Sequence, residues 1–151
     1  MEQAVTAKTE WNPQTGILAT SLSGAVDTKD VEMWESSLQS ALDSLPSGSR
    51  FKLLVNFYGL APVSVEAHKR YRSVIPATLA RYGWRVGYLD MFPEADGLHI
   101  VAEREVRCIA AVHVHQDNYK IEEYDRRFGN ATERFFTNVQ LATEWLSAAA
   151  A

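Results

Sequence analysis

Two short apolar segments, at residues 51–57 and 106–114, constrain the fold of this chain more than any other feature. Their sequences, FKLLVNF and VRCIAAVHV, are nearly continuous runs of strand-forming residues. Such runs are typical of strands that lie inside a sheet and are covered by other elements. Each run is followed by apolar residues at helical spacing. Strands that alternate with helices predict an α/β protein with a mixed or mostly parallel sheet of five or six strands and crossover helices packed on it.

A hairpin and an amphipathic helix are predicted before the first of these strands. Residues 5–11 and 17–22 flank a turn that contains a proline and a glycine, which predicts two paired strands, the second ending at Gly24. Asp27 or Thr28 is the predicted helix cap. The predicted apolar stripe of this helix consists of Val31, Trp34, Leu38, Leu42 and Leu45.

A second helix is predicted to begin after Ser64, which acts as its cap. Its predicted inner stripe consists of Val65, His68, Tyr71, Ile75, Leu79 and Tyr82. Pro76 falls inside this helix and costs ~3 kcal/mol if the helix is regular, so the sequence predicts a kink near Arg72 or a break into two shorter helices. The basic residues of this helix, Arg72 among them, are interpreted as its solvated face.

The region between this helix and the second apolar run is predicted to contain another strand. The sequence RVGYLDMF at residues 85–92 is typical of a strand, and Pro93 and Gly97 mark a turn. The following sequence LHIVAERE, residues 98–105, fits either a strand that returns as a hairpin or a short helix. The hairpin is the favoured interpretation.

The last third of the chain predicts two helices separated by a strand. Asn118 is the predicted cap of a helix over residues 119–128, residues 133–136 are predicted to form a short strand, and Thr137 is the predicted cap of the last helix. The residues predicted to face inward from these helices are Ile121, Tyr124, Phe128, Leu141, Ala142, Trp145 and Leu146.

Composition and length predict one globular domain. The chain has 151 residues, 46% hydrophobic and 23% charged, which excludes intrinsic disorder. No linker, composition shift or internal repeat interrupts it. We therefore expect a single domain over residues 1–147 and a frayed tail at residues 148–151.

The net charge and the single cysteine indicate which partners are unfavourable and which cellular compartment suits the protein. Fifteen Lys and Arg against nineteen Asp and Glu give a net charge of −4, so the chain has no basic field for nucleic acid or an anionic membrane. No apolar run approaches the roughly 18 residues that span a bilayer, and no signal peptide is recognisable. Cys108 cannot form an internal disulfide and is predicted to be a buried, inert thiol. These features predict a cytoplasmic protein.

Several segments resemble one family of small α/β domains. They are LSGAVDTKDVEMWESSLQSAL, FKLLVNFYGLAPVSVEAHKR, AAVHVH and ERFFTNVQLATEWL. Together they resemble the SpoIIAA-like group of the STAS superfamily, whose fold is similar to anti-anti-sigma factors and to CRAL-TRIO lipid-transfer domains. The resemblance spans most of residues 15–147, is weaker over residues 85–105, and closes on Phe135-Phe136 and Trp145-Leu146. It implies a STAS-like fold and a regulatory or binding function.

The same resemblance draws attention to Ser64. In anti-anti-sigma proteins a serine in an Asp-Ser-Ser-Gly context opens the helix after the central strand and is phosphorylated. Ser64 occupies a similar position here, but the flanking Asp and Gly are absent from the sequence. We therefore predict that Ser64 is a helix cap and not a phosphorylation switch.

Polar residues near the ends of the two apolar strands form the candidate site. His113 and His115 are two residues apart, so their side chains point the same way, and Asn56 and Tyr58 end the other strand. The carboxyl ends of parallel strands border the ligand crevice of open α/β sheets. His68, one turn into the following helix, is expected at the same sheet edge. We predict a partly buried pocket that contains His68 and at least one of the other two histidines, together with Asn56 or Tyr58.

Three functions remain open on the sequence alone. The first is a regulatory or binding module, not an enzyme, that acts through protein contacts or a small hydrophobic or polar ligand. The second is a metal- or histidine-dependent enzyme using His68, His113 and His115, although no nucleophile, phosphate loop or metal motif accompanies them. The third is a carrier of lipids or hydrophobic metabolites, by analogy with CRAL-TRIO folds. No cofactor is predicted, and a homodimer is the expected assembly.

Overall fold

A mixed sheet forms the centre of the fold. The computed structural model describes residues 4–91 and 98–149. Within these ranges the strands are β1 (Thr6–Asn12), β2 (Ile17–Val26), β3 (Arg50–Asn56), β4 (Leu60–Pro62), β5 (Arg107–Val114) and β6 (Glu133–Phe136). The sheet order is β1-β2-β3-β5-β6, and β4 also pairs with β2. β1 is antiparallel to β2, whereas β2, β3, β5 and β6 run parallel. The predicted α/β class, with a mixed sheet and helices packed on it, is confirmed.

Helices cover both faces of this sheet. They are α1 (Thr28–Asp43), α2 (Val65–Arg81), α3 (Asn118–Phe128) and α4 (Val139–Ala148). Residues of α1, α2 and α3 form one core cluster with Leu53 and Phe135, whereas α4 packs against Leu54 and Val112. Neighbouring side chains of a strand point to opposite faces, so Leu53 and Leu54 belong to different layers. Within the described ranges, every helix is too short or too polar to cross a membrane.

The first helix forms as predicted. Asp27 is its N-cap, and the Asp27 and Asp30 side chains accept hydrogen bonds from each other's backbone N–H groups. The predicted stripe from Val31 to Leu45 is buried. Trp34 is fully buried, and its Nε1–H donates to Thr20 Oγ1 at 2.7 Å. The stripe therefore fixes α1 on the sheet through both apolar contacts and one buried hydrogen bond.

The strand that was predicted to end at Gly24 continues to Val26. Gly24 has φ +90°, a conformation that favours glycine, and its N–H donates to the carbonyl of Gly59. Residues 17–21 of β2 pair with β3, whereas residues 24–26 pair with β4. The connection between β3 and Ser64 therefore contains a short strand, β4, and pairing with this strand is why β2 does not end at the glycine.

α2 is a single helix that continues through Pro76. The predicted break into two helices is wrong. Pro76 and its apolar neighbours Ile75 and Leu79 are all buried. The free energy gained by burying these side chains offsets the backbone hydrogen bond that the proline cannot form. At the start of the helix, Val65 and His68 were predicted to face inward but are exposed.

Residues 85–91, the described part of the strand predicted at 85–92, do not form a strand. The chain is irregular up to residue 88 and then makes a short 3-10 turn at Leu89–Met91. Residues 98–105 form an isolated bridge, between Tyr82 and Ala102, and a 3-10 turn at Glu103–Glu105. The favoured hairpin is therefore wrong as well. Both sides of β5 are already occupied, by β3 and β6, so these residues have no free edge of β5 to join. The turn predicted at Pro93 and Gly97 lies outside the described residues.

The last two helices begin one residue away from the predicted caps. Asp117, and not Asn118, caps α3 by accepting from the Lys120 N–H. Asn138, and not Thr137, caps α4. Both shifts are small because Asp and Asn are equally good cap residues and stand next to the predicted ones. Leu141, predicted to face inward, is exposed, and the buried residues of α4 are Ala142 and Leu146.

A buried lysine fastens α4 to the central strand. Lys52 of β3 is 8% exposed, and its amine donates to the carbonyl oxygens of Leu146 at 3.1 Å and Ala149 at 2.7 Å. These oxygens lie at the C-terminal end of the helix, where carbonyls lack helical partners and a positive charge is favourable. The helix reaches Ala148, inside the segment expected to fray; residues 150–151 of that segment lie outside the described part.

Candidate functional site

A cavity of about 290 Å³ opens at the carboxyl ends of the parallel strands, between α2 and α3. Phe57 and His115 directly follow β3 and β5, and Phe135 belongs to β6. This is the crevice at which open α/β sheets bind ligands. The cavity is lined by Phe57, His68, Tyr71, Arg72, Ile75, Tyr88, Met91, His113, Val114, His115, Lys120, Ile121, Tyr124 and Phe135.

The structure brings His68, His113 and His115 to this one cavity. Asn56 and Tyr58, the other predicted members, are not among the lining residues. Tyr58 is 57% exposed, and its N–H donates to Asn56 Oδ1 at 3.1 Å. The two residues therefore shape the turn after β3 and do not contact the cavity. The prediction placed them there because β3 ends nearby, but its last residues turn away.

Ser64, the remaining candidate, caps α2. Its Oγ accepts from the Ala67 N–H at 3.1 Å, and it does not line the cavity. The cap role that the sequence predicted is thus observed. A phosphate at this exposed position would lie at the positive end of a helix dipole. The hydrogen bond that the structure gives the Ser64 side chain is the one that caps the helix.

Replacing Ser64 with alanine should lower the free energy of unfolding by ~1 kcal/mol, because the Ala67 N–H loses its acceptor. Urea unfolding at neutral pH measures the change. Ser64→Asp is the matched control, since aspartate is also a good N-cap and should leave stability close to that of the parent. Equal stability of Ser64→Ala and the parent would contradict the cap role.

A buried hydrogen-bonded pair lies at the inner side of the cavity, and its histidine, His113, lines the cavity. His113 is 7% exposed and Glu133 is 1% exposed, and His113 Nε2 lies 2.8 Å from Glu133 Oε2. The other carboxylate oxygen, Oε1, accepts from the Gly87 N–H at 2.9 Å. A carboxylate only accepts, so the Nε2–H of His113 is the donor in this pair. The ring stacks on Phe135, with centroids 4.7 Å apart.

Gly87 makes this arrangement sterically possible. A Cβ at this position would lie 3.0 Å from Phe128 Cβ and 3.2 Å from Glu133 Oε1. A side chain would therefore push the backbone away from the carboxylate. The close approach explains why the irregular segment before Leu89 packs tightly against β6 and α3 although it is not a strand.

Aromatic rings form the walls of the cavity. Tyr88 contacts His113 edge-on at 5.4 Å between centroids and lies 5.8 Å from Tyr124. On the α2 side, Phe57 and Tyr71 meet edge to face at 5.4 Å. Burial raises the pKa of Tyr71, Tyr88 and Tyr124 above the ordinary value for a phenol, so these walls are uncharged at neutral pH.

Basic side chains line the same cavity. The Lys120 amine lies 5.6 Å above the Tyr124 ring centroid. His115 Nδ1 accepts from the Asp117 N–H at 3.0 Å, so a neutral His115 carries its proton on Nε2. Burial, followed by the positive charges of Arg72 and Lys120, lowers the pKa of His68. Burial and Lys120 likewise lower the pKa of His115 against the opposing effect of Asp117.

The histidines do not form a metal-binding cluster. Among residues 4–91 and 98–149, no group of three or more His, Cys, Asp or Glu side chains is placed to hold a metal ion. His113 Nε2 is engaged by Glu133, and His115 Nδ1 accepts a backbone proton. The arrangement thus offers hydrogen bonds to an organic ligand and does not offer a coordination shell.

No protein-family model, curated protein or solved structure matches this chain. The STAS resemblance therefore stays a prediction.

Three polar groups of the site were missed by sequence reasoning. Glu133 was assigned only to a strand, although a carboxylate on the inward side of a predicted strand is a recognisable signal of a buried partner. Lys120 was not singled out, and Arg72 was interpreted as solvated. Cys108 is buried in β5, as predicted, and burial raises the pKa of its thiol far above the ordinary value, so it remains unreactive.

Proposed function

We propose that this chain is a binding module that holds one small organic molecule in the cavity between α2 and α3. The observation that carries the proposal is a cavity with aromatic walls and polar lining groups, open at the carboxyl edge of a parallel sheet. Concave sites with mostly apolar linings and a few fixed polar groups are the usual form of small-molecule sites.

The size of the cavity favours a small ligand. Its volume of about 290 Å³ lies at the lower limit of the range typical of small-molecule sites, roughly 300–1,000 Å³. A single aromatic ring with a short chain suits such a space better than a long acyl chain does. The proposal therefore ranks a small metabolite above the lipid cargo suggested by the CRAL-TRIO analogy.

The chemistry of the lining favours binding over covalent catalysis. The described lining contains no serine, threonine or cysteine, so it offers none of the hydroxyl or thiol nucleophiles of acyl-transfer enzymes. The His113 ring is held in one orientation by Glu133, which suits a fixed hydrogen-bonding group in a binding site. If the STAS resemblance holds, occupancy of the cavity regulates a protein contact in the cytoplasm, with the chain acting as a homodimer.

A substitution that fills the cavity tests the proposal. Ile121 lines the cavity and is buried, so Ile121→Trp should occupy the space that a ligand needs. Neutral aromatic probes, indole and 3-phenylpropionamide, should shift the backbone NMR signals of lining residues in the parent and not in this variant. Ile100→Trp is the matched control, because Ile100 is exposed and outside the lining. It should bind the probes as the parent does.

Two results would contradict the proposal. One is that neither probe shifts the signals of lining residues in the parent protein. The other is that Ile121→Trp, shown to be folded by its thermal melt, binds the probes as well as Ile100→Trp does.

A further inference from the structure

The ionisable groups around the cavity are strongly biased toward bases. The chain carries a net charge of −4, yet the described lining includes Arg72, Lys120 and three histidines and no aspartate or glutamate. Glu133, the nearest buried carboxylate, lies behind the lining and is occupied by His113 and a backbone N–H. A cavity left only by imperfect packing would not be expected to gather this many basic side chains.

Lys120, Arg72 and His115, beside the aromatic walls, offer hydrogen-bond donors. Lysine and arginine have no acceptor, and His115 presents an N–H at Nε2 because Nδ1 already accepts from the Asp117 backbone. A ligand group placed between Lys120 and His115 must therefore accept hydrogen bonds. A hydroxyl or amide satisfies this requirement in part, and an oxyanion satisfies it fully.

Lys120 is available to such a group. Within the described part of the chain its amine lies over the Tyr124 ring and forms no ion pair. Burial, followed by the positive charge of Arg72, lowers the pKa of Lys120 against the opposing effect of Asp117. An anion bound nearby would reverse this effect, because it favours the protonated amine.

We infer that the ligand of this cavity carries an oxyanion on a small apolar or aromatic body, and that Lys120 and His115 bind the oxyanion while the aromatic walls hold the body. The inference rests on the proposed function and adds the chemical class of the ligand. Carboxylates and phosphate monoesters share this chemistry. Charge-assisted hydrogen bonds to such groups are shorter and roughly twice as strong as neutral ones.

Matched probes that differ only in the polar group test the inference. Calorimetric titration of the full chain at pH 7 would compare 3-phenylpropionate, 3-phenylpropionamide and 3-phenylpropylamine. We expect the carboxylate to bind about tenfold or more tightly than the amide, as one charge-assisted hydrogen bond allows. The amine should bind more weakly than the amide. Titration with 2-phenylethylphosphonate then distinguishes a phosphate-type group from a carboxylate.

A pair of lysine variants locates the effect. Lys120→Met keeps most of the apolar side chain and removes its charge, so it should reduce binding of the carboxylate much more than binding of the amide. Lys69→Met is the control, because Lys69 is exposed on α2 and does not line the cavity. It changes the net charge equally and should leave both affinities as in the parent.

The outcomes separate this inference from the proposed function. Equal binding of carboxylate and amide would overturn the oxyanion inference and leave a small-molecule site in place. Equal effects of Lys120→Met and Lys69→Met would overturn the role of Lys120. Failure of all four probes to bind the parent would overturn the proposed function itself.

Discussion

Replacing Trp34 with alanine should lower the free energy of unfolding by about 3–5 kcal/mol, the range for deleting a large buried aromatic side chain. Trp34 is fully buried, meets Phe57 edge to face at 5.4 Å and donates to Thr20. The substitution removes all these contacts and leaves a void between α1 and the sheet. Urea unfolding, followed by far-UV circular dichroism, measures the loss.

Trp145 supplies the comparison for this experiment. The sequence placed both tryptophans in helix stripes, but Trp145 is only partly buried and lies 6.4 Å from Phe136. We therefore expect Trp145→Ala to cost less than half as much as Trp34→Ala. Trp34→Phe should fall between them, because it keeps a ring and loses the hydrogen bond. Equal losses for the two alanine variants would show that the burial of Trp34 is not what stabilises α1.

Removing the Glu133 carboxylate should be nearly as costly. Glu133→Ala leaves the Nε2–H of His113 buried without an acceptor and removes the acceptor of the Gly87 N–H, and breaking such a buried pair costs about 3–5 kcal/mol. Urea unfolding again gives the size of the effect. Glu123, an exposed glutamate of α3 paired with Arg126, is the control, and its replacement by alanine should change stability little.

A double variant distinguishes the lost pairing from a general packing defect. Replacing His113 with Phe and Glu133 with Leu removes both polar partners and keeps apolar volume. If the two residues act as a pair, the double variant should be more stable than the sum of the single losses predicts. Additive losses would mean that His113 and Glu133 contribute independently.

The sequence predicted the regular elements well where one pattern dominated. The stripe from Val31 to Leu45 had only one helical face, and the cap at Ser64 stood at the start of the next stripe. The apolar run that became β5 had neighbours on both sides, as its composition indicated. In each case local preference and tertiary burial favoured the same structure.

The strand prediction is wrong for residues 85–91 because their apolar side chains are buried without belonging to the sheet. Val86, Tyr88 and Leu89 are buried, as strand residues would be, but they pack over the end of the sheet and supply the cavity with Tyr88. A short apolar run predicts that its residues are buried, but it does not predict which type of element they belong to. The strand order, which the sequence does not reveal, leaves β5 no free edge for another strand.

The sequence also predicted part of the site, namely its position at the sheet edge and its three histidines. Parallel strand ends and the helix after β3 were enough to place His68, His113 and His115 at one edge. Pairing of His113 with Glu133 depends on β6 lying beside β5, with His113 opposite Phe135 and Ala111 opposite Glu133. The spacing of residues along the chain does not reveal which strands are neighbours, so the pairing of His113 with Glu133 could not be predicted. The position of Lys120 beside the cavity could not be predicted for the same reason.

The unequal cover of the two sheet faces has a consequence for local unfolding. On one face α1 and α2 contribute many buried side chains, whereas α4 buries Ala142 and Leu146 and depends on the two carbonyl contacts with Lys52. Elements with few buried contacts open at the lowest free energy. The amide protons of α4 should thus exchange with solvent through excursions in which α1, α2 and the cavity stay closed. The protein can therefore open on the α4 side while the cavity between α2 and α3, on the other face, stays intact.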